Sequence, residues 1–207
     1  MRPVTGVLLA LADKGLLLTQ DKTLPNVVGI LTGESLRNSW WSHPKAHLIF
    51  SVLSELADHP DVLFTKLLYH KGTLVHRSLW PAVLTVGNAR DQWQVQGLSV
   101  DAKRLLKHLA RGGEPIRGAG AAVKELEGRL LATTQEIHTE AGRHEMALES
   151  WQAWSQRVSC NPMDSDAHAR KALEDAAFRL GAPLTSLPWP TRDAASLKPR
   201  LQRTRES

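Results

Sequence analysis

The residue whose surroundings most favour covalent chemistry is Lys66, which follows Phe64 and precedes Leu67 and Leu68 in a strand-like stretch. An amine among apolar side chains loses hydration, which lowers its pKa and makes it a nucleophile toward carbonyl groups. An abasic site in DNA exposes such a group, because its sugar opens to an aldehyde. The alternative is that Lys66 lies on the solvent side of a half-buried strand and has no chemical role.

Titratable side chains are densest between residues 136 and 145. If residues 132–139 form a strand, Glu136 and His138 share one face, since strand side chains alternate with a period of two. A carboxylate beside an imidazole performs general acid–base catalysis. Glu136, His138 and His144 are therefore the candidate proton-transfer groups. The alternative is a polar strand face followed by the exposed start of a helix.

Two adjacent aromatic residues, Trp40 and Trp41, precede a predicted helix in a Ser-rich stretch. Adjacent aromatic residues in a loop do not easily face one core, so one is expected to stack on an unpaired base or to wedge into a duplex. His43 and Lys45 follow at the helix start, where free backbone N–H groups favour phosphate. The alternatives are that the Trp side chains anchor this helix in the core and that His43 and Lys45 cap it.

The chain has no carboxylate between Asp61 and Asp91, although Lys and Arg occur at four positions there. Such a run of unopposed positive charge suits a polyanionic partner. We therefore expect a hairpin with a cationic tip that contacts phosphate. The residues predicted to contact DNA are Trp40, Trp41, His43, Lys45, His70, Lys71, His76, Arg77 and Arg143.

Hydrophobic spacing and turn residues predict the elements that position these side chains. In the first half we predict a helix over 4–18, one or two helical turns within 23–33, a helix from Pro44 to Leu56, and a hairpin over 62–76. This order is typical of a winged helix-turn-helix, in which the third helix enters the major groove and the hairpin, or wing, contacts phosphate.

A similar order is predicted in the second half. Helices over 100–110 and 121–131 precede a strand over 132–139, a turn over 139–143, and helices over 146–158 and 166–180. The sequence thus predicts an α+β fold that is mostly helical and built from winged-helix-type units. We divide it into a unit with the basic hairpin over 1–97, a second unit over 98–190, and a flexible basic tail over 191–207.

Composition narrows the class of protein. The single Cys160 forms no intramolecular disulfide, which favours a reducing compartment and a cytoplasmic location. No apolar run approaches the roughly 20 residues of a membrane span, so a membrane partner is not expected. The His spacings match no standard zinc pattern, and no phosphate-binding or dinucleotide-binding glycine loop is present. We therefore expect neither a metal nor another cofactor.

Three segments carry a resemblance to a family of small uncharacterised bacterial proteins: residues 39–44 (SWWSHP), 75–81 (VHRSLWP) and 136–144 (EIHTEAGRH). The likeness covers residues 1–190 and implies no activity. In architecture, paired winged helices also resemble the crosslink-repair DNA glycosylases, which are built from tandem winged-helix units. The Gln-containing catalytic motif of those enzymes has no counterpart in this sequence.

These patterns together predict a DNA-binding protein of bacterial type that acts in DNA repair on damaged or abasic sites. Paired Trp and His residues near a basic hairpin suit distorted or unstacked bases, and a glycosylase or abasic-site lyase activity would use the residues named above. A winged-helix transcriptional regulator is one alternative, in which the same elements read duplex sequence. An interaction module with structural Trp residues and no nucleic acid is the other.

The C-terminal segment 191–207 contains five Lys and Arg against two carboxylates, and thus three of the five net positive charges. Deletion of this segment should leave the melting temperature unchanged and weaken binding to all DNA sequences alike, because its attraction is non-specific. Calorimetry and binding titrations on unrelated duplexes would measure both effects. A large loss of thermal stability would show instead that the segment docks on the body.

Overall fold

A computed structural model describes residues 2–112, 116–117, 120–138 and 144–190, with the backbone alone for 136–138 and 144–145. These residues form an α+β fold in which helices predominate and two three-stranded antiparallel sheets are present. The predicted fold class is confirmed. Within the described residues, no helix is both long and apolar enough to cross a membrane.

Three helices are interspersed with the strands of the first sheet along the chain. Its elements are α1 (Pro3–Lys14), β1 (Leu16–Leu18), α2 (Val27–Thr32), α3 (Ala46–Ala57), β2 (Val62–Thr65) and β3 (Thr73–His76). Strand β3 lies in the centre, with Val75 opposite Leu16 of β1 and Leu63 of β2.

The helix predicted to continue to Leu18 ends at Lys14. Gly15 adopts the left-handed conformation (φ +80°) and donates its N–H to the Leu11 carbonyl, which closes the helix. Residues 16–18 then form a fully buried strand. Three apolar residues in a row satisfy a buried strand as well as a helix, so the local pattern alone predicts the wrong element here.

Three further helices precede the second sheet in the chain, one lies between its first two strands, and two follow it. These elements are α4 (Trp80–Asn88), α5 (Gln92–Val95), α6 (Val100–Leu109), β4 (Ile116–Arg117), α7 (Ala121–Gly128), β5 (Thr133–His138), β6 (His144–Glu149), α8 (Trp151–Val158) and α9 (Asp166–Leu180). Strand β6 lies between β4 and β5.

The helix predicted over 146–158 begins only at Trp151. Residues 144–149 pair with β5 instead, and the Ser150 hydroxyl accepts the N–H of Ala153 to start α8. The amphipathic spacing of Trp151 and Trp154 is confirmed, because both are buried in α8. Pairing with β5 thus makes residues 144–149 a strand, and only the second half of the predicted helix forms, as α8.

The core does not follow the division of the chain at residue 97. The larger hydrophobic cluster contains residues of the first sheet and of α1, α4 and α9. It also contains Leu130, Trp151 and Trp154. A smaller cluster lies between α6, α7 and the second sheet. In each unit the first strand pairs with the last one, and the chain between them contains the remaining strand and at least one helix. The assignment of either unit to the winged-helix class stays a prediction.

The close approach of α4 to α8 leaves no room for a side chain at Gly87. A Cβ there would lie 2.4 Å from the indole nitrogen of Trp151. Gly87→Ala should therefore lower the free energy of unfolding by about 1–3 kcal/mol, the usual cost of overpacking. Denaturant titration would measure it, with Gly120→Ala as the control, because no atom of the described residues lies within 4 Å of a Cβ at that position. Equal stability of the two variants would contradict this packing.

Candidate functional site

A cleft of about 880 Å³ lies between the two units. One wall consists of α3 and β2, and the other of α7, β5, β6 and α8. Helix α3 presents Phe50, Leu53, Ser54 and Ala57, whose spacing places them on one face of the helix. The cleft therefore has an apolar wall on the side of the first unit.

The aromatic pair predicted to stack on a base lies at this cleft. Trp40 and Trp41 form a short 3-10 helix with Ser42, and their rings stack with centroids 4.0 Å apart. Trp41 is 63% exposed, and its ring centroid lies 5.9 Å from that of Phe50. Trp40 is half-buried and Trp41 is exposed, so of the two only Trp40 fits the alternative in which a Trp side chain anchors the helix.

His43 and Lys45, predicted to contact phosphate, make local structural contacts. Helix α3 begins at Ala46, two residues after Pro44. The His43 Nδ1 atom accepts the N–H of Lys45, while its Nε2 atom lies 3.1 Å from a Glu34 carboxylate oxygen. The Lys45 ammonium donates to the Leu31 and Thr32 carbonyls at the end of α2. These contacts favour the capping alternative.

Lys66 lies immediately after β2 and lines the cleft. Its Nζ atom is 3.2 Å from Oε2 of Glu127, the nearly buried carboxylate in the last turn of α7. Thr134 donates its hydroxyl to the other oxygen of Glu127 at 2.5 Å. The expected isolation of this amine among apolar side chains is wrong, because the Glu127 carboxylate lies in contact with it. The sequence carries no signal for Glu127, which comes from a different unit.

The predicted proton-transfer residues fall on the second sheet. Glu136 and His138 are in β5, and His144 begins β6 directly opposite His138 in the register. Their side chains lie outside the described residues, as does the whole of Arg143. Their predicted roles therefore stay predictions.

The predicted cationic tip of the first hairpin is neutralised by carboxylates from other elements. Lys71 pairs with Asp21 at 2.8 Å and Arg77 with Asp61 at 3.0 Å, in addition to the pair made by Lys66. The expectation of unopposed cations is therefore wrong. The segment 62–90 contains no carboxylate, but the fold places Asp21, Asp61 and Glu127 in contact with its cations.

The tip itself is held between two other segments. The His70 imidazole donates Nδ1–H to the carbonyl of Gly128 at 2.9 Å, and the Tyr69 N–H donates to the carbonyl of Ser186 at 2.7 Å. Both tip residues have positive φ, which is strained for residues with a Cβ and persists only where surrounding contacts hold it. His76 caps the next 3-10 helix through Ser78. These contacts occupy the side chains that were expected to contact phosphate.

A second buried carboxylate borders the cleft. Glu149 ends β6 and pairs with the Arg157 guanidinium of α8. Burial raises the pKa of the Glu149 carboxyl above its usual value, and Arg157 opposes that rise. Sequence reasoning missed this pair because a strand residue and a helix residue eight positions apart show no common periodicity.

The described residues contain no group of three or more His, Cys, Asp or Glu side chains arranged to hold a metal ion. The cleft instead contains amines, guanidinium groups, carboxylates and aromatic rings. These groups can stack on bases, contact phosphate and transfer protons.

Comparison of the chain with protein-family models, with curated proteins and with solved structures found no significant match.

The carboxylate of Asp21 holds Lys71 at the hairpin. Burial alone would raise the pKa of Asp21, but hydrogen bonds from Lys71 and from the N–H groups of Thr23 and Leu24 hold it well below its usual value. Because the folded-state pKa is lowered, this carboxylate stabilises the fold above its unfolded pKa of about 3.9, and the contribution is lost as the pH falls further.

Asp21→Asn should therefore lower the free energy of unfolding by about 1–3 kcal/mol at pH 7, and by less below about pH 4. Denaturant titrations across this pH range would measure the difference. The control is Asp61→Asn, which breaks the exposed pair with Arg77 and should cost less than about 1 kcal/mol. A pH-independent loss in Asp21→Asn would contradict the role of this charge.

Proposed function

We propose that this protein binds DNA at damaged or distorted positions and holds an unstacked nucleotide in the cleft between its two units. The observation that carries the proposal is the Trp40–Trp41 stack at the cleft, in which Trp41 is largely exposed. Base–aromatic stacking is worth about 1–3 kcal/mol per base and tolerates any base. A partner with exposed bases would cover rings that are otherwise left in water.

The size and lining of the cleft support this proposal. Its volume of about 880 Å³ lies within the range of roughly 300–1,000 Å³ found for small-molecule sites, and a nucleotide turned out of a duplex is a ligand of that kind. Lys124 of α7 also lines the cleft, and among the described residues no carboxylate pairs with it. It is therefore available to a phosphate group.

The surface of α3 favours this function over the reading of intact duplex sequence by a transcriptional regulator. Side chains that identify bases in the major groove are chiefly Arg, Lys, Asn and Gln. None of these occurs within α3, whose larger exposed side chains are His47, Leu48, Phe50, Ser51 and Glu55. Apolar and acidic groups at these positions suit neither base edges nor phosphates.

The proposal predicts that Trp41→Ala loses about 10- to 100-fold in affinity for a duplex with an abasic analogue or a mismatch, and less for an intact duplex. Fluorescence anisotropy at low salt would measure the three affinities. The melting temperature should not change, since the side chain is exposed. Phe178→Ala is the matched control, because Phe178 is 79% exposed on α9 and lies away from the cleft.

Two outcomes would contradict the proposal. If Trp41→Ala and Phe178→Ala bind all three duplexes alike, the stacked pair takes no part in binding. If the wild-type protein binds none of them, the exposed aromatic pair belongs to a protein-interaction module, which is the other alternative.

A further inference from the structure

We propose that Lys66 and Glu127 are a reacting pair, in which the amine forms an imine with an aldehyde in the cleft and the carboxylate accepts the protons. The identity of the aldehyde, the ring-opened sugar of an abasic nucleotide, rests on the proposed function. The pairing itself rests on contacts across the cleft.

The position of this pair distinguishes it from the other ion pairs of the described residues. Lys71 and Asp21 meet outside the cleft. Arg77 and Arg157, which line it in their own ion pairs, carry guanidinium groups, which are not nucleophiles. The Lys66 side chain is 30% exposed within the cleft, whereas that of Glu127 is only 11% exposed. The amine is thus the partner that a ligand can reach, and the carboxylate lies behind it.

Thr134 orients the carboxylate. Its hydroxyl donates to Oε1 of Glu127 at 2.5 Å, which leaves Oε2 directed toward Lys66 at 3.2 Å. The carboxylate therefore has one oxygen that is held and one that can exchange a proton with the amine. This geometry brings a base within contact distance of a primary amine, as general acid–base catalysis requires.

Imine formation follows from this contact. Lys66 transfers a proton to Glu127, and the free amine attacks the aldehyde carbon C1′. An N–C bond forms as the C=O π bond breaks, and one of the two remaining amine protons moves to the carbonyl oxygen, which becomes a hydroxyl. Glu127 returns its proton to that hydroxyl, which leaves as water. The nitrogen keeps one proton and the positive charge of an iminium ion.

Strand cleavage requires one further proton transfer. C2′ of the bound sugar lies two bonds from Nζ, at about 2.5 Å, so a carboxylate next to Nζ is near its proton. Removal of that proton by Glu127 gives an enamine. The enamine then expels the 3′ phosphate as the C3′–O bond breaks, and water hydrolyses the resulting conjugated iminium to an unsaturated aldehyde and free Lys66.

The test is borohydride reduction of the protein with a duplex that carries an abasic site, followed by separation of covalent complexes and cleaved strands. Lys66→Arg keeps the positive charge but removes the nucleophile, and it should lower covalent trapping by at least about 100-fold. Lys171→Arg is the control, since it changes an exposed lysine of α9 that lies outside the cleft. That variant should trap within about twofold of the wild type.

Glu127→Gln separates imine formation by Lys66 from removal of the C2′ proton by Glu127. This variant should form the trapped complex more slowly, because water must then replace Glu127 in the proton transfers of imine formation. Strand cleavage per trapped complex should fall by about 100-fold or more, the usual contribution of a general base. A purely structural Glu127 would instead lower binding, trapping and cleavage together. Thermal melts of all variants would confirm that they fold.

The outcomes separate this inference from the proposed function. Trapping that persists in Lys66→Arg, or cleavage at the wild-type rate in Glu127→Gln, would overturn the assigned roles. A wild-type protein that binds the abasic duplex but forms no covalent complex would overturn the inference and leave the proposed function intact. Absence of binding to any duplex would overturn both.

Discussion

The cleft depends on four consecutive residues, 127–130, that connect the end of α7 to the rest of the molecule. Each forms a polar contact with a different partner: Glu127 with Lys66, the Gly128 carbonyl with His70, the Arg129 guanidinium with the carbonyls of residues 93, 94 and 96, and the Leu130 carbonyl with the indole of Trp151. Buried polar groups tolerate few other arrangements, because an unpaired group costs free energy. This segment therefore fixes the distance between the two walls of the cleft.

The buried amide of Gln94 strengthens this connection. Its nitrogen donates to the Val86 carbonyl at 3.1 Å and to that of Arg129 at 3.2 Å, so it links the end of α4 to the end of α7. Leu130 adopts a positive φ, which is unfavourable for a residue with a Cβ, yet its side chain is fully buried in the larger core. Packing and hydrogen bonding thus hold a strained residue at the point where the two units meet.

Elements whose signals are local could be predicted from the sequence, and contacts between units could not. Helix α9 has the predicted bounds because Ser165 caps its start and Gly181 adopts the left-handed conformation at its end. The stretch 144–149 fits a helix or a strand equally well, and only its pairing with β5 decides between them. The Ser-rich segment around Trp40 and Trp41 predicts that this pair lies near the surface. No local pattern predicts Glu127 and Glu149 at the cleft, because only tertiary packing brings them there.

The pattern of charges along the sequence predicts the charge of the folded surface poorly, for a physical reason. Ion pairs depend on distance in space, and the carboxylates that neutralise the hairpin come from residues 21, 61 and 127, of which the last is far along the chain. Once these cations are paired, attraction to phosphate explains little about the hairpin. Of the stacked rings of Trp40 and Trp41, that of Trp41 remains 63% exposed at the cleft. Recognition at this cleft is therefore expected to depend on stacking and on the chemistry of the groups behind the rings.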